Sequence, residues 1–224
     1  MSGIARSIPG MDAPFADTLG AESELRELYR EPSATVRAKK VSRVDDSARR
    51  FIEASPFFLL ATADADGHSD VSPRGGPPGF VKVLDDTRIA IPDLAGNNLL
   101  DSLTNIVANP NAGLLFVLPG RDETLRMEGS AWLTTDAAVL ELWDDTLRRP
   151  KLAVGIAVRT LYIHCAKSFR RGRVWDTPSW AELSAPDVCE VLVDQMGLDV
   201  DASVVRDALE DGYKRDLTAE RPGS

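Results

Sequence analysis

A proline- and glycine-rich segment, residues 72–79 (SPRGGPPG), contains the residue types needed to bind an anion. Its glycines let a ligand approach the backbone closely, and the guanidinium of Arg74 can hold a phosphate through two parallel hydrogen bonds. Lys82 adds a second positive charge, and Asn97 and Asn98 lie where a helix is predicted to begin, at the positive end of its dipole. These residues predict a phosphate site; the alternative is a proline-rich loop, a surface lysine and an ordinary helix cap.

A second cluster of positive charge lies at residues 167–173 (KSFRRGR) and is followed by Trp175. Nucleic-acid-binding proteins use such a cluster together with an aromatic side chain on which a base can stack. An aromatic residue beside arginines equally suits a flat heteroaromatic cofactor that carries a phosphate. The cluster alone does not decide between the two.

The histidines and cysteines do not form a familiar catalytic or metal-binding pattern. His164 and Cys165 are neighbours on a predicted strand, so their side chains point to opposite faces and cannot hold one metal together. His68 lies near a predicted hairpin turn, and Cys189 lies in a predicted helix among apolar residues. We therefore expect no metal site and no histidine or cysteine nucleophile.

Composition limits the function classes further. The chain has 224 residues, with 26 lysines and arginines against 35 aspartates and glutamates, a net charge of −9. This balance argues against non-specific binding to nucleic acid or to anionic membranes. The first residues lack the apolar stretch of a signal peptide, and no segment is apolar enough throughout to span a membrane. We expect a cytoplasmic protein that binds neither nucleic acid nor a membrane.

Short apolar or alternating segments separated by turn residues predict strands joined mostly by hairpins. The predicted strands are 57–63, 68–72, 80–84, 88–91, 112–118, the alternating segment 125–133, and 153–165. The stretch 73–79 is expected to interrupt the second of them. Hairpin connections argue against a parallel sheet and favour a small antiparallel barrel.

Helical spacing of apolar residues predicts helices around this barrel. The predicted helices are 22–30, 45–54, 99–107, 136–147, 187–196 and 202–209. The third is expected to begin directly after Gly96, Asn97 and Asn98. The fold class is therefore α+β, mainly β, with flanking helices. Residues 1–20 are expected to form a loose N-terminal arm, and residues 21–224 a single domain.

The order of these motifs resembles the pyridoxamine 5′-phosphate oxidase-like family, and within it a bacterial branch of FMN-dependent enzymes with similar N-terminal helices. The resemblance extends from Phe57 to Trp175. Its motifs are SPRGG (72–76), GNN (96–98), GLLF (113–116), ETLR (123–126) and the HCxKxxxR…W pattern (164–175). It implies an antiparallel split β-barrel of the FMN-binding type that forms a homodimer, with FMN held at the subunit interface.

The resemblance also implies a set of cofactor-binding residues. They are Ser72, Arg74, Gly75, Lys82, Ile91, Pro92, Asn97, Asn98, Arg126, Lys167, Arg171 and Trp175. In the family, a basic residue on a strand, a later lysine and the helix start hold the ribityl phosphate, which implies that role for Arg74, Lys82 and the Asn97–Asn98 pair. Ser72 and Gly75 would border the cofactor through their backbone, with the Ile91–Pro92 pair beside it.

The remaining implied contacts come from later in the chain. Arg126 lies on a strand that in the family reaches the flavin across the dimer interface. Lys167, Arg171 and Trp175 match the end of the branch pattern and would complete the pocket from the partner chain.

Two departures bear on the reaction. Residues 96–98 stand where true pyridoxamine phosphate oxidases have a serine and basic residues, and no arginine- and histidine-bearing substrate motif follows Trp175. The resemblance therefore implies FMN binding without implying oxidation of a vitamin B6 compound.

The first hypothesis is an FMN-dependent oxidoreductase that acts on a small organic substrate, with a nicotinamide as a candidate electron donor. The alternatives are a deazaflavin in place of FMN, a non-catalytic flavin- or haem-binding protein, and nucleic-acid binding through residues 167–173.

Overall fold

The computed structural model describes residues 15–223. Residues up to Lys40 and residues from Val41 onward form two compact units. The predicted arm, residues 1–20, lies largely outside the described part of the chain, and the division into an arm and one domain stays a prediction. Among the described residues, no helix is both long enough and apolar enough to cross a membrane.

Two short helices in the described part of the first unit are stabilised by their own caps. They are α1 (Glu22–Leu28) and α2 (Ala34–Ala38). The Glu24 carboxylate accepts hydrogen bonds from the backbone N–H groups of Gly20 and Ala21, at 2.7 and 2.8 Å. The Ser33 hydroxyl accepts one from the Val36 amide at 3.3 Å. The first predicted helix is confirmed, whereas α2 was not predicted.

Seven strands in the second unit form one antiparallel sheet. They are β1 (Phe57–Ala63), β2 (Ser69–Gly75), β3 (Lys82–Val83), β4 (Arg88–Pro92), β5 (Asn111–Val117), β6 (Thr124–Thr134) and β7 (Ala153–His164). Their order across the sheet is β2-β1-β5-β6-β7-β4-β3. With the helices that flank the sheet, this confirms the predicted α+β, mainly β class and its antiparallel split-barrel architecture.

Six helices flank this sheet in the second unit. They are α3 (Asp46–Ala54), α4 (Asp101–Ala108), α5 (Ala137–Leu140), α6 (Lys167–Arg171), α7 (Val188–Met196) and α8 (Ala202–Ala219). Short 3-10 helices lie at Glu141–Trp143 and Thr177–Glu182. The predicted helix 136–147 is therefore broken after one turn, and α8 extends ten residues beyond the predicted end at Leu209. Helix α6 was not predicted.

The core connects opposite edges of the sheet. The ring of Phe58 on β1 packs against Phe116 on β5 and Phe80 before β3, with ring centroids 5.1 and 5.8 Å apart. All three are at most 1% exposed. The buried indole N–H of Trp143 donates to the carbonyl oxygen of Phe80 at 2.6 Å. Because β1 lies near one edge and Phe80 leads into the other, these contacts enclose one core within the curved sheet.

Strand β2 continues through Pro73, where the sequence predicted an interruption. Pro73 lies opposite Leu59 in the β1–β2 pairing. The amide of Gly76 donates to the carbonyl of Pro56, so the even-numbered residues of β2 make the hydrogen bonds to β1. The nitrogen of Pro73 therefore lies on the free side of an edge strand, where a missing N–H costs no hydrogen bond.

Helix α4 begins later than predicted. It starts at Asp101, with Leu100 as its N-cap in a left-handed conformation (φ 61°), and Asn98 is also left-handed (φ 59°). Two left-handed residues separated by one position cannot belong to an α-helix. Residues 93–100 therefore form an extended loop before the helix, and the prediction that the helix begins directly after Asn98 is wrong.

Candidate functional site

A cleft of about 1070 Å³ lies against strand β2. Its walls are β2 from Asp70 to Arg74, the loop 93–100, the first turn of α4, the segment 148–152 and the end of α8 near Glu220. Four of the predicted site residues line it together: Ser72, Arg74, Asn97 and Asn98. Gly75 follows directly on β2. The structure thus brings the predicted proline- and glycine-rich segment and the predicted asparagine pair to one site.

The alternation of β2 positions its polar side chains. Asp70, Ser72 and Arg74 are half-buried, whereas the residues between them are exposed. Side chains two residues apart on a strand lie on the same face, about 6.6–6.8 Å apart. Strand β2 therefore presents an acid, a hydroxyl and a guanidinium in a row along one wall of the cleft.

Arg74 is the least satisfied polar group at this wall. Its Nε is buried and has no hydrogen-bond partner among the described residues. Its Nη1 lies 3.8 Å from Oδ1 of Asp93, too far for a hydrogen bond. Burial raises the pKa of Asp93, and the charges of Arg74 and Lys151 oppose that rise. A buried, charged donor without a partner at the edge of a cleft is suited to an anionic ligand.

A chain of hydroxyl groups joins β2 to α4. The hydroxyl of buried Ser102 donates to Oδ2 of Asp70 at 2.7 Å, and the oxygens of Ser102 and Ser72 lie 3.0 Å apart. One turn along, the side-chain amide of Asn105 donates to the hydroxyl of Thr62 on β1 at 3.1 Å. These bonds fix the first turns of α4 on the sheet. The sequence analysis did not identify Asp70 or Ser102 as part of the site.

The loop 93–100 leads into a helix start that has no side-chain cap. Oδ1 of Asn97 accepts a hydrogen bond from the Leu99 amide at 3.0 Å. The N-cap residue of α4, Leu100, supplies no side-chain hydrogen bond to the helix. Because no side-chain cap is made, the first amides of α4 keep donor capacity for a ligand.

The end of α8 closes one side of the cleft. The Glu220 carboxylate accepts a hydrogen bond from the Ala95 amide at 3.0 Å, and its carbonyl oxygen accepts one from the Arg148 amide at 2.7 Å. Burial, with the nearby Asp216, raises the pKa of Glu220. One residue thus connects the loop 93–100 to the segment 148–152.

The segment 148–152 brings positive charge that the sequence analysis missed. Arg148, Arg149 and Lys151 all line the cleft. The guanidinium of Arg149 is engaged by Asp144, with Nε 2.9 Å from Oδ1. The sequence signal for this wall was the run RRPK (148–151), which has three basic residues where the cluster at 167–173 has four.

The remaining predicted site residues lie elsewhere in the chain. Lys82, Ile91, Pro92, Arg126, Lys167, Arg171 and Trp175 do not line this cleft. Ile91 and Pro92 are buried at the end of β4, directly before Asp93. Lys82 is half-buried on β3, where it pairs with Ala90.

Arg126 and Trp175 are held by contacts near the β5–β6 hairpin. Arg126 forms an ion pair with Glu128 at 2.7 Å, and its guanidinium carbon lies 5.9 Å from the ring centre of Tyr162. The indole N–H of Trp175 donates to the carbonyl oxygen of Arg121 at 2.7 Å. Helix α6, which carries Lys167 and Arg171, contacts the same hairpin through Arg170, whose Nε donates to Oδ2 of Asp122 at 3.0 Å. Their predicted role in a partner's pocket stays a prediction.

The β1–β2 turn holds a small acidic cluster. The side chains of Asp64, Asp66 and His68 have potential ligand atoms within 4.8 Å of one another. Nδ1 of His68 lies 2.8 Å from Oδ2 of Asp64, and this hydrogen bond is the main reason why the pKa of His68 is raised and that of Asp64 lowered. The hydrogen bonds of the turn account for the arrangement.

The chain was compared with known proteins. The sequence profile described as pyridoxamine 5′-phosphate oxidase matches residues 44–165, more than half of the chain. This confirms the family that the sequence motifs indicated. No curated protein matched the sequence.

Solved structures of similar fold include three bacterial proteins. One, described as a putative pyridoxamine 5′-phosphate oxidase from Lactobacillus delbrueckii, has 19% identity and a TM-score of 0.43, covering 55% of this chain and 98% of its own. An FMN-binding protein from Syntrophomonas wolfei has 11% identity and a TM-score of 0.43, covering 64% and 94%. HupZ from Group A Streptococcus has 19% identity and a TM-score of 0.44, covering 54% and 93%.

Proposed function

Since this chain belongs to the pyridoxamine 5′-phosphate oxidase family, we propose that it binds FMN in the cleft against β2 and uses it as an oxidoreductase on a small organic substrate. The observation that carries the proposal is the buried Nε of Arg74, which has no partner among the described residues. A phosphate monoester has three acceptor oxygens and a charge of about −1.5 to −2 at neutral pH. It would satisfy this donor.

The other walls of the cleft offer hydrogen-bond donors to the rest of the ligand. The amides at the start of α4 carry no side-chain cap and can donate to it. Asn97 and Asn98 border the approach to these amides. Arg74 would hold the phosphate, and Ser72 and Gly75 would border the chain that joins it to the flavin. Lys82 would add positive charge if the ligand extends toward β3.

We further propose that the working form is a homodimer with the cofactor between subunits. The outer face of the sheet carries exposed apolar side chains, with Val71 60% and Trp132 57% exposed. Contiguous exposed apolar surface is typical of interfaces, and we propose that these side chains belong to one. Arg126, Lys167, Arg171 and Trp175 do not line the cleft of their own chain, and we assign them to the partner's pocket.

Mixing two variants tests this arrangement. Arg74→Met and Arg126→Met should each bind FMN poorly as homodimers. If each site takes Arg74 from one subunit and Arg126 from the other, an equal mixture after subunit exchange should regain about one quarter of the native sites. No recovery, with exchange verified by differently tagged subunits, would place both residues in one chain's site or remove Arg126 from it.

The chemistry would be that of the cofactor, since bound FMN supplies hydride transfer. The chain's own residues would bind and orient the cofactor. Arg74 would hold its phosphate, and the loop 93–100 would fix the position of that phosphate. Glu220 connects that loop to the segment 148–152 at one side of the cleft.

Anaerobic titration of the FMN-loaded protein with NADH and NADPH tests the reaction. The proposal predicts loss of the visible absorption of oxidised flavin, followed by its return when air or another acceptor is admitted. The protein could retain FMN that is reduced neither by a nicotinamide nor by any compound in a screen of small organic donors. That result would indicate a non-catalytic FMN-binding protein. Preference for a deazaflavin or haem over FMN would replace the cofactor assignment.

A further inference from the structure

The direction of the hydrogen bonds from β2 to α4 determines what the Ser72 hydroxyl can offer a ligand. We propose that Ser72 acts as a hydrogen-bond acceptor in the cleft and selects a ligand that carries a hydroxyl or N–H donor beside its anionic group. Ser102 and Asp70 act as positioning residues that hold Ser72 in this state. The inference rests on the proposed function and specifies which part of the ligand Ser72 meets.

The number of available protons determines the direction of the hydrogen bond between Ser72 and Ser102. An ionised carboxylate only accepts hydrogen bonds, and a serine hydroxyl has one proton to donate. The Ser102 proton is used toward Oδ2 of Asp70, at 2.7 Å. The 3.0 Å contact between Ser102 and Ser72 therefore requires Ser72 to be the donor. With its proton engaged, the Ser72 oxygen has only lone pairs left for the cleft.

Ser72 can only accept a hydrogen bond from the ligand and Arg74 can only donate one, so the two residues suit different parts of a ligand. An acceptor is unfavourable beside phosphate oxygens, which are themselves acceptors, so the anionic group belongs at Arg74. Ser72 and Arg74 are two residues apart on one strand, which places them about 6.6–6.8 Å from each other. The ligand class that fits is a phosphate ester whose attached chain carries a hydroxyl donor a few bonds from the phosphate. The phosphorylated ribityl chain of FMN has this form.

The burial of these three residues keeps the direction of their hydrogen bonds fixed. Ser102 is 3% exposed, and both Ser72 and Asp70 are half-buried. Water therefore has little access to compete for the Ser102 hydroxyl, and the chain of donors keeps one direction. A hydroxyl oriented in advance loses less entropy when the ligand binds.

The test compares two flavins on four proteins, the wild type and three variants, by equilibrium titration of flavin fluorescence. One flavin is FMN; the other carries the same terminal phosphate on an unhydroxylated five-carbon chain. Ser72→Ala should weaken FMN binding about 3- to 10-fold, the effect of one neutral hydrogen bond. It should change binding of the unhydroxylated flavin less than about twofold. Ser72→Thr, which keeps the hydroxyl, should restore most of the FMN affinity.

Ser102→Ala provides the control for positioning. This variant keeps Ser72 but removes the Ser102 oxygen that accepts the hydrogen bond from the Ser72 hydroxyl. The preference for FMN over the unhydroxylated flavin should therefore shrink toward that of Ser72→Ala. Thermal melts of the ligand-free variants establish that each one is folded. Equal losses for both flavins, or an unchanged preference in both variants, would overturn the assignment of Ser72. Wild-type protein that binds neither flavin would instead overturn the proposed function, and the inference with it.

Discussion

Replacing Arg74 and Asp93 together with uncharged residues should stabilise the ligand-free protein while weakening its binding of FMN. The variant is Arg74→Met with Asp93→Asn. Methionine keeps most of the apolar stem of arginine, and asparagine keeps the shape of aspartate. The double change removes the unpaired donor of Arg74 and the buried charge of Asp93 in one step.

The magnitude follows from the contacts of Arg74. A buried donor without a partner costs about 1–3 kcal/mol. The Arg74–Asp93 pair, at 3.8 Å and with side chains 27% and 23% exposed, is not hydrogen-bonded. Pairs of such loose geometry contribute about 0–1 kcal/mol. From the middle of these two ranges, the double variant should gain about 1.5 kcal/mol in its free energy of unfolding, or about 3–6 °C in Tm.

The opposite effect is expected for the ligand. A hydrogen bond to a charged group contributes about 1.5–3 kcal/mol, so losing the Arg74–phosphate contact should weaken FMN binding about 10- to 150-fold. Urea unfolding without ligand and fluorescence titration with FMN measure the two quantities. Arg88→Met is the matched control, because Arg88 pairs with Asp85 away from the cleft. Its FMN affinity should be unchanged.

The pH dependence of the free energy of unfolding shows whether the Asp93 charge stabilises or destabilises the folded protein. Because burial raises the pKa of Asp93 in the folded protein, its contribution to stability is full below its unfolded value and is lost as the pH rises through the folded value. Asp93→Asn alone should therefore gain on the wild type as the pH rises from the ordinary carboxyl value of 3.8 through the raised folded value. A double variant destabilised by more than about 1 kcal/mol would show that Arg74 is a structural residue. Undiminished FMN affinity would remove it from the site.

Three further predictions concern the scaffold, each checked by urea unfolding. Hydrogen bonds from Arg88 and from the amide and hydroxyl of Thr87 lower the pKa of Asp85 to about 2. Asp85→Asn should therefore destabilise the protein at neutral pH, and the stability difference from the wild type should vanish as the pH falls toward that value. A stability difference that does not depend on pH would contradict this. Trp143→Phe should cost about 1–3 kcal/mol, because it removes a buried 2.6 Å hydrogen bond, and a smaller loss would mean that the core adjusts. Gly129→Ala should cost more than about 2 kcal/mol, since its Cβ would lie 2.3 Å from a backbone oxygen across a β-bulge, and tolerance would mean that the bulge can shift.

The elements that carry a local pattern could be predicted from the sequence. Strand β1 has the predicted bounds 57–63, because a continuous apolar run followed by turn residues leaves one favourable pairing. Helix α3 follows its N-cap Asp45, as the apolar spacing predicted. The Pro73 interruption was wrong for a reason that lies outside the local sequence. A proline is tolerated there only because β2 is an edge strand with its odd-numbered nitrogens facing outward.

The site could be predicted only in part, for related reasons. Ser72, Arg74 and the asparagine pair were found because they share one segment or a turn signal. Helix α4 was placed too early, since two left-handed residues in the preceding loop leave no mark that distinguishes them from a helix start. The segment 148–152 joins the cleft through Glu220, more than 60 residues later in the chain. Contacts of that range depend on how α8 packs, which the basic run itself does not encode.

The most direct test of the central claim is the visible absorption spectrum of the purified protein, recorded before and after adding FMN and removing the excess on a desalting column. We expect retained flavin absorption, near one FMN per chain in the wild type and strongly reduced in Arg74→Met. A colourless wild-type protein that retains no added FMN would contradict it.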